Sequence, residues 1–294
     1  HDGQQYDLAQ IDGNAYAVMD FNRRINLAPF ECGVQESDLD RTELNGAELA
    51  TRSGGGGWHD MKAIATAAHQ VGASCGFDLA HAMGNVPLEL HDWNVDFACW
   101  CSYKYLNSGP GAVSGVFVHE RHVRDANGRG TATRRLEGWW GHDAESRFKM
   151  DPEFVPMPSA EAWQMSNAPV LNMAVHKVAL DLFVEAGMPA LRERSLRLTA
   201  YLEQLVHAVA ERTGANLEIL TPSDPAARGC QLSVVAHGYG RSLFDHLMAH
   251  GFIVDWREPA VIRMAPVPMY NSFEDLVRFA QVLETGLREL GHAG

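Results

Sequence analysis

Four polar side chains stand at the ends of two apolar runs: Asp78 and His81 after one, Tyr103 and Lys104 after the other. Gly72 to Ala80 is small and apolar until Asp78 interrupts it, and Val95 to Ser102 reads as a buried strand that hands over to Tyr103-Lys104. Each cluster therefore falls where a strand ends, the edge of an open α/β sheet at which ligands bind. A lysine there forms a Schiff base with an aldehyde cofactor when its surroundings leave some of the amine neutral. An aspartate nearby holds a pyridine nitrogen protonated and makes the ring an electron sink. Taken singly, each residue has a plainer reading: a strand-end lysine packs its stem with the ammonium in water, and an aspartate forms a turn. The combination predicts pyridoxal 5'-phosphate.

The elements that hold these residues follow from periodicity. Asp60 is a helix cap for a segment carrying Met61, Ile64, Ala65 and Ala68 on one face, with Gly72 as the stop. A strand over Cys75 to Leu79, a connection containing Gly84 and Pro87, and the Val95 to Ser102 strand come next. Ser108-Gly109-Pro110-Gly111 turns the chain into a strand over Ala112 to Val118. A run of strands with helical crossovers is expected, the pattern of an α/β sheet covered on both faces. Residues 119 to 165 are loop-rich, and Trp139-Trp140 within them read as core or interface filler whose indole N–H groups need partners. From Asn167 a long amphipathic helix is expected to bury Val170, Ala174, Val178 and Leu182. A second helix runs to about Thr213. Strands are expected over Leu217 to Leu220, Cys230 to Val235, Phe252 to Val254 and Val261 to Ala265, with a helix over Ser242 to His250. Ser272-Phe273-Glu274-Asp275 forms a capping box for a last helix that buries Leu276, Phe279, Ala280, Leu283 and Leu287. The expected organisation is a poorly patterned segment 1–57, a cofactor-binding portion 58–170 of a large α/β domain, and a smaller α+β domain 171–294.

Composition narrows the function. The chain has 294 residues and 46% hydrophobic content, enough for a substantial core, and a formal charge of -13 with no basic run argues against a nucleic-acid or anionic-membrane surface. No apolar run is long enough to span a bilayer. Five cysteines, with Cys75, Cys99 and Cys101 in apolar strand-like segments, fit reduced thiols and a cytoplasmic location. Cys99 and Cys101 lack a second pair at ligand spacing, so no metal site is expected. Gly54 to Gly57 lacks the lysine and hydroxyl of a P-loop and reads as a flexible joint.

The sequence resembles kynureninase, a fold-type I pyridoxal-phosphate enzyme family. The resemblance rests on Phe77-Asp78-Leu79-Ala80-His81-Ala82-Met83-Gly84-Asn85-Val86, His91-Asp92-Trp93, and Asp96 through Asn107. It continues in Gly138-Trp139-Trp140-Gly141-His142, Arg147 to Met150, Ser166-Asn167-Ala168-Pro169, Arg228 to Leu232, and Ile262 to Phe273. These blocks stand in family order from about Trp58 to the end. Family members carry a longer segment ahead of the first block, with the loop that grips the cofactor phosphate and an aromatic residue that stacks on the ring. Residues 1–57 offer only a faint Asp12-Gly13-Asn14 match. The expectation is therefore an abbreviated relative, or a sequence that omits part of the protein.

The resemblance implies hydrolytic cleavage of the Cβ–Cγ bond of L-kynurenine or 3-hydroxy-L-kynurenine, giving L-alanine and anthranilate or 3-hydroxyanthranilate. It makes Lys104 the cofactor-bearing residue and the base for the α-proton, with Tyr103 beside it contacting the phosphate and assisting proton transfer. Asp78 would pair with the pyridinium nitrogen, and His81 would contact the cofactor or orient that aspartate. Trp139 and Asn167 match positions near the phosphate, and Arg263 matches the residue that takes the substrate α-carboxylate. On the sequence alone, Arg263 reads as a member of an internal ion pair. In the family the site lies between two subunits, so a homodimer is implied. Other readings are a related fold-type I activity, cysteine desulfurase or aminotransferase, and a non-catalytic relative lacking the phosphate loop. The blocks around Trp139 and Arg263 weigh against the first.

Overall fold

A computed structural model describes residues 60–130 and 135–291, together with the backbone of two short strands nearer the amino terminus. The tetraglycine and Asp12-Gly13-Asn14 lie outside the described residues. The chain forms two compact units, one comprising residues 60–83 and 88–182 with the two early strands, the other residues 84–87 and 183–291. The division falls inside a helix, after Leu182.

The first unit is built on a five-stranded sheet. Its strands are β1 (Tyr16–Asp20), β2 (Arg24–Asn26), β3 (Ser74–Asp78), β4 (Phe97–Trp100) and β5 (Gly115–Val118), in the order β2-β1-β3-β4-β5. β1, β3 and β4 are parallel, and β2 and β5 close the two edges antiparallel. Helix α1 (Met61–Gln70) precedes β3, and the Asp60 carboxylate accepts the Ala63 N–H at 2.9 Å as its cap. Met61 and Ala65 are buried, and Gly72 takes φ +76° just beyond the end. Cys75, Gly76 and Phe77 of β3 are buried, as a central strand requires. Gly76 admits the Phe97 ring of β4 into the space a side chain would fill, 2.2 Å from where its Cβ would lie. No helix crosses between β3 and β4: residues 79–96 form turns instead, Ala82 and Met83 both donating to the Leu79 carbonyl at 3.0 Å.

Helix α2 (Val170–Ala186) corrects one expectation. Val170, Val178 and Leu182 are 77, 62 and 51% exposed, Ala174 is exposed too, and the buried residues are Ala179 and Phe183. The helix is apolar all round, with Leu171, Met173, Val175, Leu180 and Val184 also exposed, so periodicity could not select the covered face.

The second unit is an antiparallel sheet of β6 (Leu217–Ile219), β7 (Leu232–Ala236), β8 (Asp255–Arg257) and β9 (Val261–Met264), in the order β6-β7-β9-β8. It shares one core with helices α3 (Met188–Thr213), α4 (Gly240–Ala249) and α5 (Phe273–Gly291). Gly214 ends α3 in the left-handed conformation, donating to the Ala210 carbonyl. Ser272 and Asp275 form the capping box of α5: Asp275 N–H donates to Ser272 Oγ at 3.1 Å and Ser272 N–H to Asp275 Oδ2 at 2.9 Å. All five residues expected inside α5 are buried. β8 begins three residues later than its apolar run predicts, because Phe252 and Val254 pack on the core before the strand starts.

Candidate active site

The register of β3 and β4 sets the first unit's polar cluster. Asp78 pairs with Cys99 across two parallel strands, so the aspartate stands at one carboxyl end and the Cys101–Lys104 segment leaves the adjacent one. Leu79 N–H extends the ladder to the Cys99 carbonyl at 2.8 Å. Asp78 is half-buried, and its Oδ1 accepts the Ala80 N–H at 2.8 Å, the turn that carries His81. Among the described residues that is the carboxylate's one hydrogen bond, which leaves Oδ2 for a ring N–H. His81 is half-buried with its ring edge-on to Tyr105, centroids 6.4 Å apart.

Lys104 lies in a braced turn. Asn107 N–H returns to the Lys104 carbonyl at 3.0 Å, Ser108 N–H to the Ser102 carbonyl at 3.1 Å, and Ser102 Oγ donates to the Val113 carbonyl. Asn107 holds φ +57° to make this turn, a conformation asparagine tolerates better than most residues. From α2, His176 Nδ1 meets Ser108 Oγ at 2.8 Å, and Asn172 donates to the Gly111 carbonyl at 2.6 Å. The Lys104 ammonium is 5.9 Å from the Tyr103 ring centroid.

The electrostatics tie the two strand ends together. A hydrogen bond with Cys101, then the charges of Cys101 and Asp78 with some burial, push the Tyr103 phenol above its ordinary value, so it is a proton donor at neutral pH. Burial, then the Asp78 and Cys101 charges, push the Cys99 thiol up. Asp78 and Tyr103 therefore share one electrostatic neighbourhood. The Cys101 thiol also donates to the Ala80 carbonyl at 3.8 Å, joining the strand end before Lys104 to the turn after Asp78.

Behind the cluster, at the opposite end of β4, Asp96 is buried among four donors. Its carboxylate accepts from His122 Nε2 at 2.6 Å, His69 Nε2 at 2.8 Å, Cys75 N–H at 2.6 Å and the Arg121 guanidinium at 2.5 Å. Burial opposes its ionisation, but the His122, Cys75, His69 and Arg121 bonds outweigh that and hold it well below the usual carboxylate range. Burial and the Asp96 charge push the neighbouring Cys75 thiol up to about 11. Asp96 anchors the strand rather than the chemistry, a role that only the folded positions of His69, Arg121 and His122 reveal.

Trp139 and Asn167 are both exposed, and Trp139 stacks edge-on against Phe148. Their loops are neighbours through Gly138, whose missing Cβ would lie 2.1 Å from Met165 Cα. No hydrogen bond joins either residue to Asp78 or Lys104 among the described residues. In the second unit, Arg263 on β9 is mostly buried, and its Nε donates to Asp255 Oδ2 at 2.6 Å.

The donor set fits pyridoxal phosphate. A lysine and a half-bonded aspartate share neighbouring strand ends, a phenol stands beside them, and Asn107 Nδ2 is buried without a protein partner three residues after Lys104. Among the described residues no group of three or more histidine, cysteine, aspartate or glutamate side chains could hold a metal ion.

A family model for aminotransferase class-V matches residues 47–216, more than half of the chain, and one for the kynureninase C-terminal domain matches residues 191–283. The cysteine desulfurase CsdA of Escherichia coli superposes with a TM-score of 0.62 at 16% identity, over 79% of this chain and 56% of that one. The fold is thus that of the fold-type I pyridoxal-phosphate enzymes. Kynureninase of Flavobacterium psychrophilum is 48% identical over 288 residues, 96% of this chain and 67% of that protein. Kynureninase of Xanthomonas euvesicatoria is 56% identical over 228 residues, 76% of this chain and 52% of that protein. The chain belongs to the kynureninase family. It spans about half the length of most of the curated relatives it matches.

Proposed function

We propose that the protein is a pyridoxal-phosphate hydrolase that cleaves the Cβ–Cγ bond of L-kynurenine or its 3-hydroxy derivative. The observation that carries this reading is the register that sets Asp78 opposite Cys99, so that Asp78 and the Lys104 segment follow adjacent carboxyl ends of two parallel strands, in a chain of this family. Lys104 holds the cofactor through its amine and, once released, moves the α-proton of the substrate. Asp78 Oδ2 accepts the ring N–H, and the Ala80 N–H on Oδ1 fixes its orientation. When bound, the cofactor supplies an electron sink for the carbon–carbon bond that breaks. Tyr103 stays protonated and serves as donor to the phosphate or the leaving carbon. His81 orients the ring against Asp78, Trp139 and Asn167 contact the phosphate surroundings, and Arg263 takes the α-carboxylate bidentately. The free cysteines of the described residues, Cys75, Cys99, Cys101 and Cys230, suit a reducing, cytoplasmic setting. The exposed apolar residues of α2 suit a homodimer.

The test is loading with pyridoxal phosphate followed by turnover. The expected result is a yellow protein, bleached and labelled by borohydride at Lys104, that releases anthranilate from kynurenine and neither sulfide from cysteine nor a keto acid from an amino donor. Lys104→Ala is expected to abolish both colour and turnover, and Asp78→Asn to lower kcat/KM about a hundred-fold, roughly 2.7 kcal/mol. A protein that stays colourless with added cofactor overturns the reading.

A further inference from the structure

Arg263 and Asp255 stand directly opposite each other on β9 and β8, the latter an edge strand. One oxygen, Asp255 Oδ2, accepts from Arg263 Nε at 2.6 Å and from its Nη2, and the Arg257 Nε contributes to the same oxygen at 3.1 Å. The Arg263 side chain is only 11% exposed, while Asp255 is 48% and Arg257 55% exposed.

A guanidinium offers two bidentate edges, the side edge of Nε with Nη2 and the end edge of Nη1 with Nη2. Asp255 occupies the side edge. Among the described residues nothing bonds to Nη1, so the end edge faces no protein acceptor. Two guanidiniums share one carboxylate, which leaves the group with a net positive charge suited to an anion. Because the side-edge bonds fix the plane of Arg263, its remaining donors are aimed before a ligand arrives, and less rotamer freedom is lost on binding.

We propose that Asp255 is the positioning residue that orients Arg263 toward a ligand carboxylate, a role that rests on reading Arg263 as the α-carboxylate site. An ion pair with only a structural role would lower stability when broken without discriminating between ligands. A positioning role predicts selectivity for the carboxylate.

The test uses the pyridoxal-phosphate-loaded full chain and three ligands: kynurenine, L-alanine, and the amine obtained by decarboxylating kynurenine. In Asp255→Asn, the KM for kynurenine and the inhibition constant of L-alanine should each rise about ten- to hundred-fold, the weight of one charge-assisted hydrogen bond. The inhibition constant of the amine and kcat should stay within about two-fold. Asp255→Glu keeps the charge on a longer arm and should shift the same two constants by less, which serves if the asparagine variant fails to fold. Equal changes for all three ligands, or none for any, overturn the positioning role while leaving the enzyme reading intact. A wild-type protein that neither binds nor cleaves kynurenine overturns both.

Discussion

Asp96 and His122 meet at 2.6 Å at the start of β4, four residues from the end at which the strand releases the Cys101–Lys104 segment. That bond belongs to a buried group in which one carboxylate satisfies two imidazoles, a guanidinium and a backbone N–H, and so ties α1, β3, β4 and the turn at residues 120–122 to one point. Replacing Asp96 by Asn leaves Arg121 without its anion. Arg121 is a third exposed and keeps its bonds to Asn94, so the loss falls below the roughly 3–5 kcal/mol of a fully buried pair. The expected outcome is a lower unfolding midpoint and weaker cofactor retention, since the base of β4 loosens; equilibrium denaturation checks the first and absorbance titration the second.

The same residue gives a pH dependence. The folded carboxyl titrates below its unfolded value of about 4, so its contribution is fully present above that value and is lost as the pH falls toward the folded one. Unfolding measured from pH 7 to pH 3 should show wild-type stability falling at the acid end, with a shallower slope in Asp96→Asn. Parallel slopes would deny Asp96 this role.

Gly138 carries a steric prediction. A methyl group there would meet Met165 Cα at 2.1 Å and its carbonyl oxygen at 2.6 Å, backbone atoms that cannot turn aside. Gly138→Ala should separate the loops of Trp139 and Asn167. If both contact the cofactor phosphate, the dissociation constant for pyridoxal phosphate should rise at least as much as in Asn167→Ala, and phosphate-free pyridoxal should bind both variants like wild type.

How much of this was legible in the sequence depended on whether a residue's role is local. Asp60 and the Ser272–Asp275 box bond within their own turn, so composition and spacing disclosed them. Asp78 was legible as a polar interruption of an apolar run, and Tyr103-Lys104 as the polar pair that follows one. The Asp255–Arg263 pair depends on strand register, and the charged alternation around Trp256 hid β8 behind the apolar Phe252 and Val254. Asp96 draws His69 and His122 from elements on either side in sequence, and no spacing announces that convergence. Helix α2 misled because its apolar residues surround the axis.

The capping box offers a graded measurement. Ser272→Ala removes the acceptor of the Asp275 N–H and should cost about 1 kcal/mol, read as a shift in denaturation midpoint at constant slope. The Ser272 N–H, then Arg278, hold Asp275 down to about 2, so its part in the cap persists through neutral pH and disappears as the pH falls from about 4 toward that value. The difference between wild type and an Asp275→Asn variant should therefore narrow at acid pH.

The exposed side chains of α2 yield the last prediction. Leu171, Val178 and Val184 are 82, 62 and 83% exposed on a helix with few charged residues, and each would gain about 1.5–3 kcal/mol from full burial. A surface of that kind is where a second copy would bury apolar area. Sedimentation of the wild-type protein should give a dimer. Leu171→Glu and Val178→Glu each add a charge whose burial is unfavourable, and because both positions are exposed within one chain, neither should lower the stability of the separated chain. Each should shift the protein toward monomer by at least ten-fold in dissociation constant, about 1.4 kcal/mol. A wild-type monomer, or variants that dimerise as wild type does, would leave the apolar face of α2 without this explanation.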